Sequence, residues 1–384
     1  MKLLHTADLH LGRQFAGLSL IEDHARILEQ ILAAIDEHKP DVLIIAGDIF
    51  DRAAPPESAV RQFNAFLKEA AEHARMAIVM IGGNHDSGER IEAMAMLANP
   101  ARALVRGAVS AEEQALILRD SAGPVAFSAL PFCYEFAARE CFGDAGISAP
   151  ADVLRAQLSA ARAHVPEGAR WVVVAHAFVE GAAASDSERP LSRTVGGIET
   201  VPANVFDGAH YVALGHLHRP QSVGAPHIRY AGSPLAFGFD EEGQAKSMSL
   251  IDLKPDGSIT VSQLPFHPLR SVRTVRGTLK ALLGGSVASS QDFIRVVLDD
   301  RHRLIDPMKR LRERFPNACA LEYAQAARAD IGLNPAGANR LDNPADTVAK
   351  FLEFVRGTGP TECEQVLIRE ALAEVSGDLT MGAP

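Results

Sequence analysis

Four short apolar runs, VLIIA at 42–46, AIVMI at 77–81, WVVVA at 171–175 and YVAL at 211–214, each give way within three residues to an Asp, Asn or His. Runs of this length without alternating polar residues fit strands covered on both faces. Such strands need a second layer on each side, which points to an α/β architecture and excludes an open one-faced sheet. In α/β sheets of this kind the carboxyl ends of the strands are where ligands gather. The polar residues that follow the runs therefore fall where chemistry is done.

The chain has 384 residues, of which 47% are hydrophobic, enough for two or three domains with real cores. No stretch reaches the ~18 uninterrupted apolar residues of a membrane span, and the start, MKLLHTADLHLG, lacks a secretory apolar region. No membrane association is expected. Cys133, Cys141, Cys319 and Cys363 are widely spaced, with no CxxC pair. They read as reduced thiols of a cytoplasmic protein. A net charge of −10 argues against capture of nucleic acid by the whole surface. It does not exclude nucleic acid, because bound divalent cations would neutralise the local acids. One segment, 295–314, is locally basic, with Arg295, Arg301, Arg303, Lys309, Arg310, Arg312 and Arg314 against Asp299, Asp300, Asp306 and Glu313. Taken alone it reads as a solvated helix face.

Strand and helix alternate from the start. Residues 2–7 read as a strand, and 20–38 as a helix with Ile21, Ala25, Leu28, Leu32 and Ile35 on one face, ended by Pro40. Residues 57–73 repeat the helical pattern after Pro55 and Pro56. Further on, 151–164 reads as a helix, 228–231 as a strand, and 247–253 with 258–264 as a hairpin across Pro255-Asp256-Gly257. Residues 1–268 are expected to form one layered α/β domain. Residues 269–325 suggest a small β-α-β-α-β cap, and 326–343, rich in Ala, Gly, Asn and Arg, a linker. Residues 344–384 suggest two amphipathic helices, the first capped by Asn343 with Pro344 at its first position. A pair this short cannot bury its apolar face alone. It either docks back on the cap or serves a partner.

Seven residues are of the type and order to hold two metal ions: Asp8 and His10 in HTADLHLGR, Asp48 in AGDIFDR, Asn84 in GGNHD, His176 in VVVAHAF, and His216 and His218 in LGHLHRP. Each piece alone is commonplace; the joint occurrence is not. Asp8 and His10, like His216 and His218, are two residues apart and project to one side of extended chain. Gly47 allows close backbone approach beside Asp48. We assign Asp8, His10 and His218 to one ion and Asn84, His176 and His216 to the other, bridged by Asp48. Carboxylate, amide and imidazole suit hard to borderline ions, and two such ions form a clamp for phosphoester hydrolysis.

The segments DLH, GDIFD, GNHD, AH and GHLH resemble the five motifs of the calcineurin-like metallophosphoesterases. The longer strings HTADLHLGR, AGDIFDR, GGNHDS, ALGHLHRPQ and YAGSPLAFGFDE are similar to those of the SbcD-type DNA repair exonucleases. The resemblance covers residues 1–240 motif by motif, and beyond them in layout only. It implies a four-layer α-β-β-α sandwich with a small α+β cap and C-terminal helices. It implies a nuclease cutting duplex ends, hairpins and single strands in DNA repair, recombination and replication, as a homodimer within a heterotetramer with an SbcC-like coiled-coil ABC-type ATPase. The implied ions are manganese, with iron or zinc also fitting the shell. His85 matches the family's catalytic histidine. Asp51 stands where other relatives carry a second histidine, and is given a positioning role. Asp86 and Arg52 either orient these groups or form a structural ion pair. Two other readings stay open: a dimetal phosphodiesterase or phosphatase for nucleotides or other phosphoesters, and a non-catalytic scaffold, against which the complete ligand set argues.

Overall fold

The computed structural model describes the chain apart from residues 74, 96–98, 189–199, 325–343, 357 and 379–384. Its strands divide their side chains between two apolar layers, as period-two geometry requires. From Val42–Ala46, Val42, Ile44 and Ala46 enter the layer between two sheets, while Leu43 and Ile45 face a layer of helices. Ala77–Ile81 does the same, with Ala77, Val79 and Ile81 on the inner face and Ile78 and Met80 on the outer. Arg170–His176 sends Val172 and Val174 inward, and Trp171, Val173 and Ala175 outward.

Each sheet has six strands. The first runs Ile259–Pro265, Ser247–Leu253, Lys2–Thr6, Val42–Ala46, Ala77–Ile81, Ala103–Arg106. The second runs Gln221–Val223, Ala225–Tyr230, Tyr211–Gly215, Arg170–His176, Gly123–Leu130, Leu116–Asp120. The four strands from Lys2–Thr6 to Ala103–Arg106 are parallel, as are the four from Ala225–Tyr230 to Gly123–Leu130. Outside the first sheet lie Ile21–His38, packed through Ile27, Leu28, Ile31 and Ile35, and Glu57–Ala71, packed through Phe63 and Phe66. Outside the second lies Pro150–Arg162, through Leu154, Leu158 and Ala161. The layers are α-β-β-α, as expected.

Several elements escaped the sequence reading. Gly123–Leu130 opens on Gly-Pro and carries Ser128 midway, so it shows no unbroken apolar run; Ser128 accepts a hydrogen bond from Trp171 Nε1 (2.9 Å) across the sheet. Its partner Leu116–Asp120 is an edge strand with only Leu116 buried. The short helices Gly88–Ala95 and Glu135–Phe142 each bury a single residue, which leaves little periodicity to read.

Residues Met1–Ala324 form one compact unit. It includes the three-stranded parallel cap sheet Val272–Gly277, Phe293–Leu298, Ala318–Tyr323, with helices Leu279–Leu283 and Pro307–Arg312. Val275, Leu282, Val296, Leu311 and Phe315 fill the cap's own core, but Val272 and Phe293 belong to the main one, where Phe293 stacks on Phe15 with centroids 4.7 Å apart. Asp23, fully buried, accepts from Arg270 Nε at 3.2 and 3.1 Å, and the Arg270 guanidinium lies 4.5 Å from the centre of Phe293. A second unit contributes the helices Pro344–Arg356 and Glu362–Asp378. Arg356 grips Glu364 with two bonds of 2.6 Å, and Phe351, Val366 and Leu367 are exposed. The expected linker at 326–343 and the Asn343 cap lie outside the described residues. Among the described residues no helix is long and apolar enough to cross a membrane.

Removing Arg270 leaves a buried carboxylate without its cation, which costs about 3–5 kcal/mol. Arg270→Ala should lower the urea midpoint accordingly; an unchanged midpoint would show that the tether contributes nothing. Burial, with Arg229 nearby, pushes His5 down to about 3, and burial pushes His24 down to about 4. Both fold neutral, so their stabilisation is complete above their unfolded pKa near 6.5 and is lost as pH falls through about 4 for His24 and about 3 for His5. The metal-free protein should weaken over that interval, and His5→Gln, which keeps a partner for Tyr211 Oη, should flatten the fall.

Candidate metal centre

The strands' carboxyl ends turn sharply, and the turns bring the candidate residues together. Asp8, His10, Asp48 and His216 all have positive φ (54°, 46°, 49° and 103°), a conformation that costs a non-glycine residue about 1 kcal/mol or more. The turns interlock: Asp8 N donates to Gly47 O and His10 N to Asp48 O, both at 3.0 Å, while His216 N donates to Asp8 Oδ1 at 2.8 Å. Such outliers were not legible in the sequence, where Asp and His follow a strand without any mark of handedness.

All seven residues converge. Asp48 Oδ2 lies 3.6 Å from His10 Nε2 and 3.5 Å from His176 Nε2. His10 Nε2 faces His218 Nε2 at 3.2 Å. Asn84 Oδ1 is 3.0 Å from His176 Nε2 and 3.2 Å from His216 Nδ1. Ligand atoms of Asp8, Asp48 and His176 lie within 4.8 Å of one another, as do those of His10, Asp51 and His85. The six Asp and His donors of the set are buried.

The donor chemistry suits cations. His176 Nδ1 must carry a proton to donate to Ala46 O (2.9 Å), and His218 Nδ1 must do so to reach Glu241 Oε1 (2.8 Å). In their neutral forms the remaining nitrogens present lone pairs, one to an amide oxygen and the other to a second imidazole. Asp8 Oδ2 and His10 Nδ1 are buried without a hydrogen bond. Buried acceptors facing one another with no donor between them are what a cation resolves. Burial holds His10, His216 and His218 below their usual range, so they are neutral lone-pair donors at neutral pH. Burial, with Asp48 beside it, raises Asp8 well above the carboxylate range. Burial alone would raise Asp48 too, but His176, His10 and His85 hold it well below. Burial opposes the His176 cation, yet Asp48 and Asp8 outweigh it and lift the group to about 9. Without ions, the His176 cation faces both the Asp48 and the Asp8 carboxyl groups.

Four further residues of the sequence reading lie close by. His85 Nδ1 donates to Asp51 O (2.7 Å), which turns Nε2 toward Asp48 Oδ2, 4.0 Å away. The Asp51 carboxylate stands 3.7 Å from His10 Nδ1 and 3.5 Å from Arg13 Nη1. Asp86 accepts from the backbone N–H groups of Ile49 (3.0 Å), Phe50 and Gly83 (both 2.9 Å), clasping together the loops that carry Asp48 and Asn84. Burial, then Asp48, lifts it to about 7. Among the described residues it forms no ion pair, so its place is in the loop clasp. Arg52 lines an open cleft with Arg13, Gln14, Asp51, His85 and Ser187. Glu188 and Lys246 carry no motif signal in the sequence, and Arg13 and Glu241 enter it only as the ends of HTADLHLGR and YAGSPLAFGFDE. Glu188 Oε1 accepts from His218 N at 2.6 Å. Only their juxtaposition with His218 marks them out.

A strand-end donor cluster between two sheets defines a metallophosphoesterase, and residues 1–220 match the calcineurin-like phosphoesterase family, to which the chain belongs. Within that class it belongs to the SbcD type. It is 31% identical over 323 residues to the SbcD subunit of the nuclease SbcCD of Staphylococcus saprophyticus, covering 84% of each chain. Residues 265–355 match the SbcD_C family, described as the type 5 capsule protein repressor C-terminal domain. Among solved structures, TT1561 of Thermus thermophilus is similar at 15% identity and a TM-score of 0.41, over 68% of this chain and 98% of that one. Yfce, a phosphoesterase from E. coli, is similar at 16% identity and a TM-score of 0.28, over 70% and 100%.

A Cβ at Gly47, where φ is +88°, would stand 2.5 Å from His176 Nδ1 and 3.0 Å from Gly83 Cα. Gly47→Ala should therefore displace His176, lower stability by more than about 1 kcal/mol and weaken manganese binding by about tenfold or more. Calorimetric metal titration checks this, and parental affinity would contradict it.

Proposed function

We propose that the chain is a metal-dependent DNA nuclease subunit of the SbcD type, hydrolysing phosphodiesters at duplex ends and in hairpins during DNA repair and recombination. The observation that carries this reading is the convergence of buried donor atoms on Asp48, with Asp8 Oδ2 left without a hydrogen bond, behind a cleft lined by His85, Arg13 and Arg52. We assign Asp8, His10 and His218 to one cation and Asn84, His176 and His216 to the other, with Asp48 shared; manganese fits this set, as iron or zinc would. When bound, the two cations would stabilise phosphate charge and acidify a water nucleophile. His85, fixed through Nδ1, directs Nε2 to the reacting phosphate and, when protonated, delivers a proton to the leaving oxygen. Asp51 steadies His85 through its carbonyl and His10 through its carboxylate. Arg13 and Arg52 offer guanidinium groups to flanking phosphates.

Residues 1–268 would act as the nuclease domain and 269–325 as a DNA-contacting cap. Of the seven basic residues at 295–314, Arg295, Arg312 and Arg314 bond within the unit, whereas Arg301, Arg303, Lys309 and Arg310 are exposed. Two of the four acids are occupied, Asp299 by Arg276 and Asp300 by Leu279 N, which leaves the exposed face positive. Phosphate contacts need no more than such charges. The helices of residues 344–384, with Phe351, Val366 and Leu367 exposed, would dock an SbcC-like coiled-coil ATPase. The assembly would be a cytoplasmic heterotetramer built on a homodimer of this chain. A phosphatase for small phosphoesters would need neither cap nor helices, and SbcD membership disfavours it.

The test is cleavage of hairpin and blunt duplex DNA with manganese, with and without the ATPase; intact substrates in every combination would refute the reading. His85→Gln should slow cleavage by about 10²–10⁴-fold while DNA retention is unchanged. Replacing Arg301, Arg303, Lys309 and Arg310 by Ala should weaken DNA binding alike for all sequences and reduce its salt dependence.

A further inference from the structure

His218 is anchored by a carboxylate that belongs to a turn shared with the cap. Glu241, at 1% exposure, accepts His218 Nδ1–H at 2.8 Å. The same oxygen also takes the hydroxyl of Ser187, and the other takes the ammonium of Lys246. Lys246 is itself buried, and donates to His218 O at 2.9 Å and to Ser233 Oγ at 3.1 Å. The ring and backbone of His218 are thus both gripped, and Nε2 is aimed at His10 Nε2. A buried Lys–Glu pair is a poor means of stabilising a core, since apolar residues of the same volume do as well. A carboxylate on the outer nitrogen of a metal-binding imidazole, by contrast, sets its tautomer and strengthens it as a ligand.

The adjoining residue faces the other way. Glu242 accepts from Thr274 N at 2.8 Å and Thr274 Oγ1 at 2.5 Å, on the first cap strand. Arg295, on the next cap strand, donates to Thr274 Oγ1 at 3.2 and 3.1 Å and lies 5.1 Å from the centre of Phe239, in the same turn as Glu241. Phe239 in turn meets Phe15 edge-on at 5.1 Å. Both cap strands therefore bear on residues 239–242, and one peptide unit, about 3.8 Å, separates the cap contact from the His218 contact.

We propose that Glu241 is a positioning residue for His218, and that the turn at 239–242 couples the cap to the His10/His218 side of the metal centre. A cap displaced by bound DNA would thereby alter the affinity of one ion and leave the other as it was. The inference rests on the reading of His218 as a metal ligand, so the test includes that residue.

The experiment is calorimetric titration of the full chain with Mn²⁺, with the thermal midpoint in chelator recorded for every variant as a control on folding. His218→Ala should lose one class of sites. Glu241→Ala should weaken that class by about 10–100-fold and spare the other, Glu241→Asp should restore part of the loss, and Glu242→Gln should weaken the same class by about threefold or more. Should Glu241→Ala fail to fold, Glu241→Gln keeps the shape, loses the charge and carries the same expectation. Parental affinity in the Glu241 variants, with a site lost in His218→Ala, overturns the positioning role alone. An unaltered Glu242→Gln beside a weakened Glu241→Ala overturns the coupling, and an unaltered His218→Ala overturns the ligand assignment beneath both.

Discussion

The buried carboxylate of Asp48 is the contact on which the rest of the architecture converges. One of its oxygens reaches His10 from the first sheet and His176 from the second, at 3.6 and 3.5 Å. The other accepts His85 N at 2.9 Å. A carboxylate with 2% exposure is costly unless positive charge or donors surround it. The two sheets must therefore meet closely at their carboxyl ends, and small residues make this possible. A side chain on Gly83 would collide with Asp48, and one on Gly215 with the Ala46 carbonyl. The site and the packing of the sandwich satisfy the same requirement.

That arrangement sets stability against chemistry. Four site residues hold left-handed backbone, and Asp8 Oδ2 and His10 Nδ1 are buried without a hydrogen bond. The three apolar layers on either side of and between the sheets offset these costs, since most of their side chains are almost wholly withdrawn from water. Asp86 fastens the Asp48 loop to the Gly83 turn through three backbone donors, so the strain is confined to loops that are themselves tied down.

The acidic overall charge and a nucleic-acid substrate are compatible because charge is distributed unevenly. Much of the acidity near the centre is internal, in Asp8, Asp48, Asp86, Glu188 and Glu241, and faces cations, histidines or backbone donors. On the cap, by contrast, Arg301, Arg303, Lys309 and Arg310 are exposed within ten residues of one another. The cap is not an appendage: Phe293 and Val272 enter the main core, and Arg270 is clamped on Asp23.

By itself, the sequence determined the strands with unbroken apolar runs, the amphipathic helices and the seven donors that end the motifs. All of these are local signals, written in spacing and residue type. It left Gly123–Leu130 unread because Gly, Pro and Ser interrupt that pattern, and it held no mark of the positive φ at Asp8, His10, Asp48 and His216. Only the tertiary structure decided what stands behind each donor. Glu241 lies 23 residues from His218 along the chain, and the Ala46 carbonyl that orients His176 lies 130 residues from it. Whether a carboxylate orients a ligand or merely solvates a surface depends on distances through space, and these arise only when two sheets close on one another.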